Sequence, residues 1–172
     1  MTYETIALTA NIALTLSFIV ALIFGIVQVQ VAMRDRRERL TLETLRNFHT
    51  REFAELINFV NSQAVPSGRE ELRALPVSEQ AKFIQFGQEM ESLGILVAER
   101  LINIDLVDKT LGSFVTTSWQ KYKTVFEDIR EKTPDPFLGE YFQWLAEYID
   151  DRMRKNPRKP FHQTHTPSSH TT

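Results

Sequence analysis

The chain has 172 residues, 42 % of them apolar and 24 % charged, and it contains no cysteine. That length accommodates one domain with an appendage rather than two full-sized domains. Twenty Lys or Arg against 22 Asp or Glu leave a formal charge of −2; the balance argues against a broad nucleic-acid surface, and the missing cysteine excludes disulfides, a thiolate nucleophile and cysteine-ligated metal centres.

From Thr5 to Met33 run 29 residues without a charge. A helix needs about 20 apolar residues to cross a bilayer core of roughly 30 Å. Residues 7–26 supply that length, with only Thr9, Asn11, Thr15 and Ser17 polar. Fifteen Leu, Ile, Val or Phe lie between Ile6 and Val31, each favouring insertion by about 0.3–0.6 kcal/mol near the centre of a span. A cleaved signal peptide would open on basic residues and carry a shorter apolar core, whereas Met1–Glu4 holds an acid and no base. The segment 5–33 is therefore expected to be a retained transmembrane helix, with residues 1–4 as an outward stub. Arg34, Arg36, Arg37 and Arg39 follow the span and no Lys or Arg precedes it. Basic flanks stay on the cytoplasmic side, so a single pass through the plasma (inner) membrane is expected, with the C-terminal part inside. Ala13, Ser17, Ala21 and Gly25 recur at four-residue steps, a small-residue ridge along which two helix backbones pack. Eight of the twenty residues at 7–26 are Gly, Ala, Ser or Thr, so composition alone also generates such runs. The stripe marks homo-oligomerisation as an expectation.

Residues 34–63 contain neither Gly nor Pro, and Leu45, Phe48, Leu56, Phe59 and Val60 form an apolar stripe, so the membrane helix is expected to continue to about residue 63. It should stop before Val65-Pro66-Ser67-Gly68. The connector 64–77 has little periodicity, with a helical turn over Glu70–Leu75. The next helix opens at Pro76-Val77-Ser78 with Ser78 as N-cap and shows Phe83, Phe86, Met90, Leu93, Val97 and Leu101 at steps of three or four. Beside that series runs Gly87, Glu91, Gly94, Ala98, a stripe suited to a close helix neighbour that Glu91 would face. Asn103-Ile104-Asp105 breaks the pattern, and the carboxylate of Asp105 suits an N-cap. A helix with Val107, Leu111, Phe114, Trp119, Tyr122, Phe126 and Ile129 should follow, bending at Gly112-Ser113 and ending near Lys132. Pro136 suits the first turn of a last helix capped by Asp135, carrying Leu138, Tyr141, Phe142, Leu145, Ile149 and Met153. No stretch alternates in the manner of a strand. The fold class is thus all-α: one transmembrane helix continuing into a cytoplasmic bundle of about four helices over 34–155, whose 14 aromatics are enough for a core. The tail 156–172, rich in Pro, Ser, Thr and His, is expected to be disordered.

Several short motifs occur in order along the second half: Glu91-Ser-Leu-Gly94, Ile104-Asp105-Leu106-Val107, Gly112, Trp119, Ile129-Arg130 and Tyr141-Phe-Gln-Trp-Leu145. Through them the stretch Phe83–Tyr148 resembles the bacterial domain-of-unknown-function 4760 family. Met90 stands where an aromatic usually precedes the Glu, and Asn103 replaces the common Gly before Ile-Asp. The resemblance implies one N-terminal span followed by a small helical domain, and no known activity, substrate or cofactor.

A hydrolytic triad needs a nucleophile, a base and an orienting acid, yet His49 is the one histidine ahead of the tail. Its place next to Phe48 reads as a surface position. His49, Glu52 and Glu55 stand at three-residue steps, but di-metal bundles use Glu-x-x-His pairs, which this sequence lacks. His162, His165 and His170 are too sparse for a site, and phosphate-cradling glycine loops are missing. The acidic runs Glu127-Asp128-Glu131 and Glu147-Asp150-Asp151 have basic neighbours and read as salt-bridged helix faces. Glu91, Trp119 and Arg130 remain as a structural or ligand cluster, with Glu91 and Arg130 expected to meet across the bundle, since a carboxylate leaves water only with compensation. Neither catalysis, metal nor cofactor is expected. Anchor and helix surface point to an interaction or scaffold module. Its expected partners are the bilayer, a second copy and a cytoplasmic protein, with no nucleic acid. A headgroup or small-ligand sensor and a membrane-active effector are the alternatives.

Overall fold

The computed structural model describes residues 2–133 and 135–159, and within them all regular structure is helix, without a strand. The six helices are α1 (Tyr3–Asn47), α2 (Arg51–Ser62), α3 (Arg69–Ala74), α4 (Val77–Ala98), α5 (Ile104–Lys132) and α6 (Glu140–Lys155). Pro134, the tail histidines and most of the expected disordered tail lie outside the described residues.

The first helix follows from its composition. It has no Gly or Pro between Gly25 and its end, and the hydroxyls of Thr9, Thr15, Ser17 and Thr41 return to carbonyls four residues back, as Ser17 Oγ does to Ala13 O at 2.8 Å, so these polar groups are satisfied within the helix. Over its N-terminal part α1 is long and apolar enough to cross a membrane, and none of that stretch is buried. All fifteen Leu, Ile, Val and Phe between Ile6 and Val31 are exposed. Further along, Thr41 and Leu45 are buried in the bundle.

The expected single helix to residue 63 is two helices. α1 stops at Asn47, and Thr50 caps a new helix by accepting from the Phe53 N–H at 3.2 Å. The cap residue takes an extended conformation, which is what a Thr N-cap requires and a continuous helix forbids. The break turns Phe48 onto Phe53, with ring centroids 4.7 Å apart and edge to face. The apolar stripe itself is retained, because Leu45, Phe48, Phe53, Leu56, Phe59 and Val60 are all buried.

Helix α4 carries the expected series, with Phe83, Phe86, Met90, Leu93 and Val97 buried. Its start and end differ from expectation. Pro76, not Ser78, is the N-cap; a proline there withholds no N–H that the helix needs. At the other end Arg100 takes φ 57°. Its N–H bonds to Val97 O, and that of Leu101 to Leu96 O, the paired bonds of a Schellman motif. Leu101 is therefore outside the helix and exposed.

Helix α5 runs unbroken through Gly112. Its cap is Asn103, whose side chain accepts from the Asp105 N–H at 2.9 Å. The expected cap, Asp105, sits instead in the first turn, where its charge still suits the positive end of the helix. Helix α6 begins at Glu140 rather than at Pro136. Asp135 does accept a backbone bond, from Phe137 N at 3.0 Å, but it closes a turn, and Gly139 at φ 72° is the residue before the helix. That positive φ favours glycine.

The core is a single cluster drawn from every helix. Helix α6 packs on both α4 and α5. At its centre Phe142, fully buried, receives Phe86, Trp119 and Phe126 edge to face, with centroid distances of 5.5, 5.2 and 5.9 Å. Offset and edge contacts of this kind each add about 0.5–1.5 kcal/mol beyond burial.

Candidate functional site

The cluster named from sequence surrounds the first turn of α6. Glu91, on the small-residue stripe of α4, reaches across to that turn. Its carboxylate accepts from Tyr141 N at 3.3 Å and Phe142 N at 2.9 Å. The stripe makes this approach possible: a methyl added at Gly94 would overlap the Tyr141 carbonyl. The first N–H groups of a helix have no partner within it, and a carboxylate there also meets the positive end of the dipole. Glu91 is thus a cap supplied from a neighbouring helix.

Arg130 works on the same turn from α5. Its Nε donates to Leu138 O at 2.7 Å and its Nη1 to Gln143 Oε1 at 2.7 Å, while the guanidinium lies 5.9 Å from the centroid of the Trp119 ring. Glu91 and Arg130 do not form the expected ion pair. The two groups are engaged on the α6 amides and the Leu138 carbonyl, where a buried group left without a partner costs about 1–3 kcal/mol. Each charge instead holds one side of the 138–143 segment, with Trp119 packed between Arg130 and Phe142.

Two further ends are capped in trans, by residues that sequence reasoning did not single out for this. Asp128 of α5 accepts from Arg69 N, at the start of α3, at 2.8 Å, and pairs with Lys132 at 2.7 Å. The Arg69 N–H and then Lys132 hold its carboxyl below the ordinary range, and Asp128 in turn raises the Lys132 ammonium. Lys121, also of α5, donates to the carbonyls of Val60, Asn61 and Gln63 at the end of α2, which has no basic residue in its own last turn. Tyr122 adds its hydroxyl to Val60 O, and burial pushes its phenol pKa up.

Beside Glu91 lies an apolar recess of ≈ 240 Å³ between α3, α4 and α5, with Phe83, Ile84, Gly87, Ile129 and Leu138 in its wall. At the opposite end of α5 and α6, Asp108 is 7 % exposed, with Arg158 Nη2 3.3 Å from its Oδ1 and Arg152 Nε 4.0 Å from its Oδ2. Asp105 pairs with Arg152 in the same place. Nothing in the apolar pattern of α5 announced Asp108: it belongs with Gly112 and Thr116 on a second buried face of the helix, turned to α6, which polar residues conceal from a hydrophobic count.

Of the four arginines after the apolar stretch, Arg37 docks: its Nη2 donates to Ile102 O at 3.2 Å, and one turn on Thr41 Oγ1 accepts from Asn103 N at 2.9 Å. Arg34, Arg36 and Arg39 are exposed. Ala13, Ser17, Ala21 and Gly25 are exposed on α1, and no other side chain comes within 4 Å of where a Gly25 methyl would stand. His49 is exposed, as its place beside Phe48 suggested.

A family model described as a domain of unknown function, DUF4760, matches residues 15–149. The chain belongs to the DUF4760 family. That match reaches from within the apolar stretch to Ile149, so the DUF4760 region takes in Glu91, Trp119, Arg130 and the first turn of α6 together with about two-thirds of the uncharged segment 5–33. Among curated proteins and among solved structures nothing matches.

Proposed function

We propose that this chain is a membrane-anchored helical interaction module, spanning the bilayer once through α1 with its N-terminus outside and its bundle in the cytoplasm. The observation that carries the reading is α1 itself: its apolar stretch is wholly exposed, yet the same helix runs unbroken to Thr41 and Leu45 inside the bundle. Leaving a Leu, Ile or Phe side chain in water forgoes about 1.5–3 kcal/mol, so fifteen together demand an apolar surrounding. The arginines after the stretch favour retention of the bundle on the cytoplasmic side. The small-residue ridge on α1 supports pairing of two copies within the bilayer.

The bundle reads as a binding module rather than an enzyme because Glu91, Arg130, Asp128 and Lys121 are engaged at helix ends. The recess beside Glu91, at ≈ 240 Å³, is smaller than the roughly 300–1,000 Å³ of small-molecule sites. It suits an aliphatic or aromatic side chain of a protein partner better than a free ligand.

The test is extraction and protease access in cells making the full chain with a C-terminal tag. Retention in the membrane at alkaline carbonate, with the tag shielded from protease outside intact cells, supports the reading. Release by carbonate, or cleavage of the tag from outside, overturns it. Changing Ser17 and Ala21 to Leu should lower the yield of crosslinked dimer; an unchanged yield removes the pairing. Growth arrest that depends on residues 1–33 would instead favour a membrane-active effector.

A further inference from the structure

The end of the bundle that meets α1 differs in charge from the rest of the chain. Residues 34–39, 99–109 and 150–159 hold eleven Lys or Arg against seven Asp or Glu, whereas all other positions hold nine against fifteen. Contacts described above bring these three segments together: Arg37 on Ile102, Arg152 with Asp105, and Arg158 with Asp108. Between them opens a cleft of ≈ 330 Å³, lined by Asp105, Asp108, Lys109, Arg152, Lys155 and Arg158. Within it Asp108 is nine-tenths buried, and its Oδ1 and the Arg152 Nε take no hydrogen bond. The two carboxylates are matched by the two arginines. Lys109 has no ion pair among the described residues, and Lys155 holds only an exposed pair with Asp151, which another anion exchanges at little cost.

Position adds to charge. Arg37 lies four residues past Met33, about 6 Å along the helix, which is headgroup depth for a span ending there. Its bond to Ile102 brings the α4–α5 loop to that level. Lys109 is six residues from Asn103, or about 9 Å along α5, which is close to the ~8 Å Debye length at physiological salt.

We propose that this basic end of the bundle docks on anionic phospholipid, with a headgroup phosphate held at the α5–α6 cleft by Lys109 and Lys155. The inference rests on the membrane-anchored reading above. Each Lys or Arg close to an anionic leaflet contributes about five-fold in affinity, so the excess of cations on this face suffices for a tethered domain.

The experiment reconstitutes the full chain in nanodiscs of phosphatidylcholine alone or with about one-third phosphatidylglycerol, and follows labelling of Lys155 by a water-soluble amine reagent. Docking slows labelling in the anionic discs, about 0.5 M salt restores it, and Lys109→Ala lowers the protection about five-fold. Equal labelling in both discs overturns the proposal while leaving the anchor intact. Protection in neutral discs on adding 10 mM inorganic phosphate, without dependence on phosphatidylglycerol, overturns the lipid as source. Failure to enter either disc sinks the anchored reading itself.

Discussion

Glu91 shows how one side chain acts on a helix it does not belong to. With Glu91→Ala the Tyr141 and Phe142 amides lose their acceptor, and the chain should lose about 1–3 kcal/mol of stability, read as a lower urea midpoint in detergent. Glu91→Gln keeps an acceptor and should recover part of that loss. Gly94→Ala tests the same contact from the other side, because its methyl meets Tyr141 backbone that cannot swing away; a cost of about 1–3 kcal/mol is expected. Asp128 gives a pH dependence. Its carboxyl is held below the ordinary range by the Arg69 N–H and Lys132, so the unfolded chain takes up the proton first. The stabilisation is complete above the unfolded value near pH 4 and fades as the pH falls through the lowered folded value. The gap between wild type and Asp128→Asn in urea midpoint should therefore be widest at neutral pH and close below about pH 4.

At the level of elements, helix ends were harder to read from sequence than helix faces. The series Phe83 to Val97 and the stripe Gly87, Glu91, Gly94 are plain in the sequence because a helix repeats every 3.6 residues. The ends depend on which of several polar residues takes the cap, and here tertiary contacts choose. Thr50 breaks α1 from α2 because Phe48 and Phe53 then share the core; Gly139 starts α6 because Glu91 and Arg130 hold that turn. Three ends receive their caps from α4 or α5, which no local pattern encodes. Arg100 illustrates a local compromise. It occupies the left-handed position of a Schellman motif, where a side chain costs about 1–2 kcal/mol and glycine is favoured. Because Arg100 is exposed, Arg100→Gly should raise stability by about 0.5–1 kcal/mol, after the entropy that glycine adds to the unfolded chain. A thermal melt followed by tryptophan fluorescence checks it.

For the molecule as a whole, class and order were legible: one apolar helix, then a helical bundle with a single aromatic core. What was not legible was how the parts meet, since the Glu91 and Arg130 pairing expected from motifs dissolves into two grips on one segment, and Asp108 hides on a polar face of α5. The join between α1 and the bundle is narrow. Arg37 on Ile102, Thr41 on Asn103 and Leu45 in the core stand four residues apart on one side of the helix, with Leu40 packed against the core beside them. Thr41→Val, which keeps the shape and removes the acceptor, should cost about 1–3 kcal/mol and speed amide exchange at Asn103. These three positions act as the teeth of a spline on a shaft. Turning α1 by one residue's ~100° would lift Arg37 and Thr41 from the α4–α5 loop and Leu45 from the core together, so a twist of the shaft would reach the bundle at all three teeth at once.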